Sequence, residues 1–175
     1  MRTIGIDMDG VLYNWHESLY EHCRLFEGYE GSYWEFWNNY RNVMTEEHLE
    51  YLIQLDTLYS NILPTKQCKE LLNNLASRYE IFYVTARPKT VQTTTESYLK
   101  RHKFPFRENL VFSEDKVSVA RRYQFSFAID DHPKHLKGLS EVTSVVMVLQ
   151  PWNKEYRDVF PTAVNLLDIL NYIKE

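Results

Sequence analysis

IGIDMDGVLYNW, residues 4–15, ends an apolar run on two carboxylates, Asp7 and Asp9, two positions apart. Residues 3–8 (TIGIDM) read as a buried strand, because they are short, nearly all apolar and rich in branched side chains. Positions i and i+2 of an extended chain project to the same side, so both acids can approach one point. Gly10 then allows a sharp turn. Two carboxylates that close raise each other's pKa unless a cation or hydrogen bonds intervene. A divalent metal, or two roles at different protonation states, would resolve the conflict. A solvated strand end followed by an ordinary turn would account for the same letters, so the rest of the chain has to decide.

Four more runs resemble the first: 81–85 (IFYVT), 110–113 (LVFS), 127–130 (FAID) and 144–149 (SVVMVL). Helical patterns separate them over 65–78, 89–102, 115–122 and 133–138, and a Leu/Ile stripe predicts a last helix over 162–174. Strands alternating with helices predict an α/β fold, a Rossmann-like parallel sheet with helices on both faces and right-handed crossovers. Ligands of such sheets bind beyond the carboxyl ends of the strands. Polar residues collect there: Asp7 and Asp9, Thr85 and Arg87, Ser113 and Lys116, Asp130 and Asp131.

Residues 13–63 are too long for a simple crossover. They read as mostly helical (16–26, 33–42, 46–55) and hold three of the four tryptophans. The expected organisation is a core domain of 1–12 plus 64–175 with a small helical cap, 13–63, inserted after the first strand. Taken singly, the cap aromatics would simply pack together. SYWEFWNNY, however, puts more ring surface into nine residues than one helix face easily buries, so at least one ring should face a cleft or partner.

Each strand-end signal has a plain structural explanation. Thr85 could be a helix N-cap, Lys116 a solvated lysine, and Asp131 the cap of a helix starting near Pro133. In chemical terms, a hydroxyl and free backbone N–H groups at Thr85-Ala86-Arg87 suit an anion, and the adjacent acids Asp130 and Asp131 suit a hard cation such as Mg²⁺. Coincidence would have to act four times at one sheet edge, which favours the joint explanation of a single site.

The order DMDGV, then TAR, then a downstream Lys, then an apolar run ending in DD, resembles the four motifs of the haloacid dehalogenase superfamily of phosphatases. DMDGVL, the inserted cap, and SEDK followed by FAIDDHP are similar more narrowly to the 5'(3')-deoxyribonucleotidases, with TARP a departure in the second motif. The resemblance implies a phosphatase acting on nucleoside 5'- or 3'-monophosphates. Asp7 would be the nucleophile and form an aspartyl phosphate, and Asp9, starting protonated, would be the general acid and then the base. Mg²⁺ would be held by Asp7, the Asp9 carbonyl and one or both of Asp130 and Asp131. Thr85, the Ala86 N–H and Lys116 would hold the phosphate, with Arg87 at its rim. Trp15, Phe36 and Trp37 of the cap would stack on the base. Another small phosphate ester or a polynucleotide 3'-phosphate is the alternative substrate, and a non-catalytic binding module the alternative class.

Composition narrows the partners. The net charge of -4 and the lack of a basic stripe argue against long nucleic acid or an anionic membrane. No apolar run approaches the roughly 20 residues of a membrane helix, and MRTIGID enters a strand with no signal peptide. Two cysteines without a CxxC, Cys23 and Cys68, suit a reduced pair in the cytoplasm. The partner expected is a small phosphate ester, and a homodimer is left open.

Overall fold

The computed structural model describes residues 1–173, apart from the side chains of residues 40 and 41. Among them a six-stranded, all-parallel sheet runs in the order β3-β2-β1-β4-β5-β6. The strands are β1 (Arg2–Ile6), β2 (Tyr79–Thr85), β3 (Leu110–Phe112), β4 (Phe125–Asp130), β5 (Ser144–Val148) and β6 (Thr162–Ala163). Alternation sorts their side chains onto two faces. Ile4, Ile6, Ile81, Tyr83, Phe127, Ile129 and Val146 enter one buried cluster. Phe82, Val84, Ala128, Val145 and Met147 enter another, beneath the helices after β3 and β4. Burial on both faces explains why the strands read as unbroken apolar runs.

Between β1 and β2 lie α1 (Trp15–Phe26), α2 (Tyr33–Val43), α3 (Glu46–Leu52), α4 (Thr57–Ser60) and α5 (Cys68–Ala76). α6 (Gln92–Arg101) follows β2 after a 3-10 turn, α7 (Lys116–Arg122) follows β3, α8 (Pro133–Leu139) follows β4, and α9 (Ile169–Tyr172) comes last. The insertion closes at its base, where Tyr13 pairs with Pro64 in an antiparallel bridge and Thr65 N donates to the Leu12 carbonyl (2.9 Å). It is not a separate layer of packing. Leu19, Cys23, Phe36 and Leu52 belong to the same buried cluster as Ile4 and Leu71.

The chain departs from the expected elements at two places. The helix expected over 46–55 stops at Leu52, and a separate short turn, α4, follows it. The stretch 162–174 is not one helix: Thr162–Ala163 adds the edge strand β6, a 3-10 turn spans Leu166–Asp168, and only Ile169–Tyr172 is α-helical. Asn165 and Asp168 form a reciprocal capping box that starts the helical turn after the strand. The last position of that expected helix, residue 174, lies outside the described residues. Cys23 and Cys68 are both free thiols and buried.

Candidate active site

The strand order reverses at β1, which is flanked by β2 on one side and β4 on the other. That is the place where a crevice opens beyond the carboxyl ends. Asp7 follows the last residue of β1, its N–H continuing the ladder to the Ile129 carbonyl (2.8 Å), and Asp130 ends β4. Beyond Asp7 the chain folds back in a tight turn, with Leu12 N–H on the Met8 carbonyl and Gly10 N–H on the Tyr13 carbonyl (both 2.9 Å). Gly10 sits at φ +80°, and a Cβ there would overlap the Asp131 carboxylate. The position demands glycine for both conformation and space.

This turn separates the two acids of the opening motif. Rather than meeting at one point, each finds its own cation. Lys116, the first residue of α7, is buried and donates to Asp7 Oδ1 and to Asp130 Oδ2 (2.7 Å for the latter). It is set there by the Asp115 N-cap, whose carboxylate accepts from Ser118 N–H (3.0 Å). Asp9 turns the other way and forms a forked pair with Arg87, Nε to Oδ2 at 2.8 Å and Nη2 to Oδ1 at 2.7 Å. Arg87 also donates to Thr95 Oγ1 (3.0 Å), and its guanidinium lies 4.6 Å and 4.2 Å from the ring centres of Tyr13 and Tyr59. Such a planar, forked, ring-stacked cation is a role that lysine could not fill.

Two of the expected site residues are thus joined to each other. Arg87 is largely buried and paired with Asp9, with the Tyr13 and Tyr59 rings and a carboxylate enclosing it on several sides, and it also lines the cleft. Asp9, the other acid of the motif, accepts from the Arg87 guanidinium through both its oxygens.

Asp7, Asp130 and Asp131 are all buried, and one carboxylate oxygen from each lies within 4.8 Å of the others. Burial pushes the Asp7 carboxyl up, to about 7; Lys116 opposes the rise, and Asp130 and Asp9 add to it. Burial, with the charges of Asp7 and Asp130, also raises Asp131 well above the usual carboxylate range. For Asp130 burial again pushes upward, but Lys116 and His135 outweigh it and hold this carboxyl below the usual range. Lys116 is affected in the reverse sense: burial lowers it, and Asp130 and Asp7 more than restore it. With all three buried acids ionised, the one ammonium would leave an excess of negative charge where charge is costly. Hard oxygen donors at this spacing fit a divalent cation, which would remove that excess.

An open cleft of about 1630 Å³ lies over these groups, lined by Asp7, Asp9, Ala86, Arg87, Lys116 and Asp131. Thr85, buried at the end of β2, lies just behind the wall, its Oγ accepting from Arg87 N–H (3.2 Å). It caps no helix. Trp15 and Trp37 line the cleft with Asn38, Asn42 and Tyr59. Phe36 does not: it is fully buried, packed edge-on against Tyr20, Tyr29 and Trp37, so the guess that it faces a ligand is corrected. An amphipathic helix turns successive residues by 100°, and Phe36 falls on the inward side.

Several residues at or behind the cleft wall stand outside the four motifs. His16 stacks on Trp152 (ring centres 3.7 Å) and meets Trp37 edge-on (4.7 Å). Burial, with nearby His132, lowers its imidazole to about 3, so the ring is neutral at ordinary pH. Gln150, Trp152 and Asn153 follow β5 and reach back toward both acidic motifs. Their place just past the carboxyl end of a strand, where every other motif sits, is the signal that would have found them.

Comparison with known proteins places the chain in a family. The family model described as 5' nucleotidase, deoxy (pyrimidine), cytosolic type C protein matches residues 1–170. A nucleotidase of Clostridium acetobutylicum is 24% identical over 175 residues, covering 97% of this chain and 89% of that protein. A relative from Halalkalibacterium halodurans is 21% identical over 131 residues, 73% of this chain, and the match spans 65% of that relative's length. Among solved structures, a haloacid dehalogenase-like hydrolase from Streptococcus pneumoniae superposes with a TM-score of 0.68 at 16% identity, over 99% of each chain. The chain belongs to the 5' nucleotidase, deoxy (pyrimidine), cytosolic type C protein family.

Proposed function

We propose that the protein is a Mg²⁺-dependent phosphatase that hydrolyses the phosphomonoester of (deoxy)nucleoside 5'- or 3'-monophosphates through an aspartyl phosphate on Asp7. The observation that carries this reading is the separation of the two motif acids. Asp7 sits with Lys116 and two further carboxylates, while Asp9 faces the same cleft on a different cation.

Asp7, Asp130, Asp131 and the Asp9 carbonyl would hold the metal, and the metal when bound neutralises the phosphoryl oxygens and holds Asp7 ionised. Asp7 attacks phosphorus, the ester bond breaks, and the leaving oxygen takes a proton at the Asp9 side of the cleft. Asp9 then accepts a proton from the water that opens the aspartyl phosphate, the step for which its accepting oxygens are already set. The protonated monoanion of the ester can carry in the proton for the first step, since phosphate monoesters lose their second proton near about pH 6. Lys116 and the Ala86 N–H stabilise the nonbridging oxygens as charge spreads over them. Thr85 acts from behind, fixing the Arg87 backbone. The inserted helices form the cap, and Trp15 and Trp37 stack on the base. Free buried thiols and the cytosolic type of the family support a cytoplasmic setting.

The test is a panel of esters with Mg²⁺: 5'- and 3'-deoxynucleotides, ribonucleotides, sugar phosphates and para-nitrophenyl phosphate. Nucleoside monophosphates should be cleaved fastest, and chelation should stop phosphate release. Preference for a sugar phosphate would overturn the substrate class. Inertness toward every ester would overturn the chemistry and favour a binding module.

A further inference from the structure

The loop Gln150–Asn153, just past β5, touches both acidic motifs and the inserted helices at once. Gln150 Nε2 donates to the Gly10 carbonyl (2.5 Å), in the turn that carries Asp9. Asn153, fully buried, donates through Nδ2 to the Asp131 carbonyl (2.6 Å) and the Val148 carbonyl (2.8 Å), and its Oδ1 accepts from Gln150 N–H (2.8 Å). Between them, Trp152 Nε1 donates to Asp131 Oδ2 (2.9 Å). The same indole packs against His16 at 3.7 Å and Trp37 at 5.1 Å between ring centres, so α1 and α2 hold its ring in place.

We infer that Trp152 is a positioning residue for the metal centre: its indole N–H fixes the plane of the Asp131 carboxylate, and the His16–Trp37 packing fixes the indole. A carboxylate on a short side chain rotates freely unless something holds it. Here Asn153 holds the Asp131 main chain and Trp152 holds its side chain, so both degrees of freedom are taken. Outer partners of this kind orient metal ligands and typically change metal affinity by roughly 10–100-fold when removed. The residue is not catalytic, since nothing places it on the reacting atoms. The inference rests on the proposed reading that Asp131 binds Mg²⁺, and it adds what makes Asp131 competent to do so.

Trp152→Phe keeps an aromatic ring against His16 and Trp37 and removes the N–H together with the five-membered half of the indole. Calorimetric titration of the full-length protein with Mg²⁺, without substrate, should show the dissociation constant rising about tenfold or more. The unfolding midpoint of the metal-free protein should stay near that of the wild type. Equal Mg²⁺ affinity in the two proteins overturns the inference. Wild-type protein labelled with ¹⁵N-tryptophan gives a reading that needs no stable variant. The Trp152 indole resonance should shift along the Mg²⁺ saturation curve, with exposed Trp34 as the unmoving control. An unmoved Trp152 resonance at saturation overturns the inference as well. Asp131→Asn separates the two claims: undiminished Mg²⁺ affinity in that variant removes the metal reading itself, and the role of Trp152 falls with it. Weakened binding there with unchanged binding in Trp152→Phe removes only the role of Trp152.

Discussion

At the level of single residues, the chemistry turns on which cation each acid faces. Asp7→Asn should abolish phosphate release while the protein keeps its fold, because Lys116 retains Asp130 as a partner. Asp9→Asn should lose most turnover with nucleotides yet still accumulate phosphoenzyme from an activated ester, which mass spectrometry of the quenched reaction would reveal. Full activity in Asp7→Asn would end the aspartyl-phosphate reading. Arg87→Lys keeps the charge but loses the fork and the stacking on Tyr13 and Tyr59. It should lower stability in urea denaturation by about 1–3 kcal/mol and slow turnover, since Asp9 keeps some exposure to water and the loss stays below that of a fully buried pair. Unchanged stability and rate would show that the fork does no more than pack. The sequence showed Asp7, Asp9, Lys116, Asp130 and Asp131 well, because each ends or follows a strand in a fixed order. It did not show that Arg87 would claim Asp9, since that contact joins residues 78 positions apart and depends on two tyrosines from other elements.

Elements were legible where one face decides them. Strands buried on both sides read as apolar runs, and α1 and α2 carry aromatics at helical spacing. The segment after β5 was not legible, since a Leu/Ile stripe serves equally a helix or, in its first residues, an edge strand; pairing of Thr162 with Met147 decided it. Contacts across elements also lie beyond local patterning. α6 and the 3-10 turn before it hold the end of the insertion by Thr94 Oγ to Asp56 Oδ1 (2.5 Å), Thr90 Oγ to Gln54 Oε1 (2.6 Å) and Arg101 Nη1 to the Ser60 carbonyl (3.0 Å). These bonds are exposed and each worth only about 1 kcal/mol. The double variant Thr90→Ala/Thr94→Ala should speed amide hydrogen exchange in α4 while leaving β1 and β4 protected. Equal exchange in α4 would mean that its packing against α1, where Ser18 Oγ donates to the Leu58 carbonyl (3.0 Å), holds it alone.

For the whole molecule, the crowded acids couple folding to pH, and would couple it to a metal held among them. Asp7 has its folded pKa raised from 3.8 to about 7, so below 3.8 it is protonated in both states. Between those values the unfolded chain releases the proton and the folded one keeps it, so stability falls as pH rises across that window. Asp131 acts in the same sense. Asp130 is the opposite case: its contribution is complete above its unfolded pKa and is lost only in stronger acid. His16, lowered to about 3, makes stability rise from there toward 6.5 and partly masks Asp7 in the metal-free protein. A metal removes the mask from the comparison, because it needs Asp7 and Asp131 ionised and must displace their protons to bind, while His16 contributes equally with and without it. The rise in unfolding temperature produced by a fixed Mg²⁺ concentration should therefore be small near pH 5 and grow through pH 8. Scanning calorimetry across that range, with and without the ion, reads it directly. A Mg²⁺ increment that stays flat with pH would mean that the cation binds away from these carboxylates.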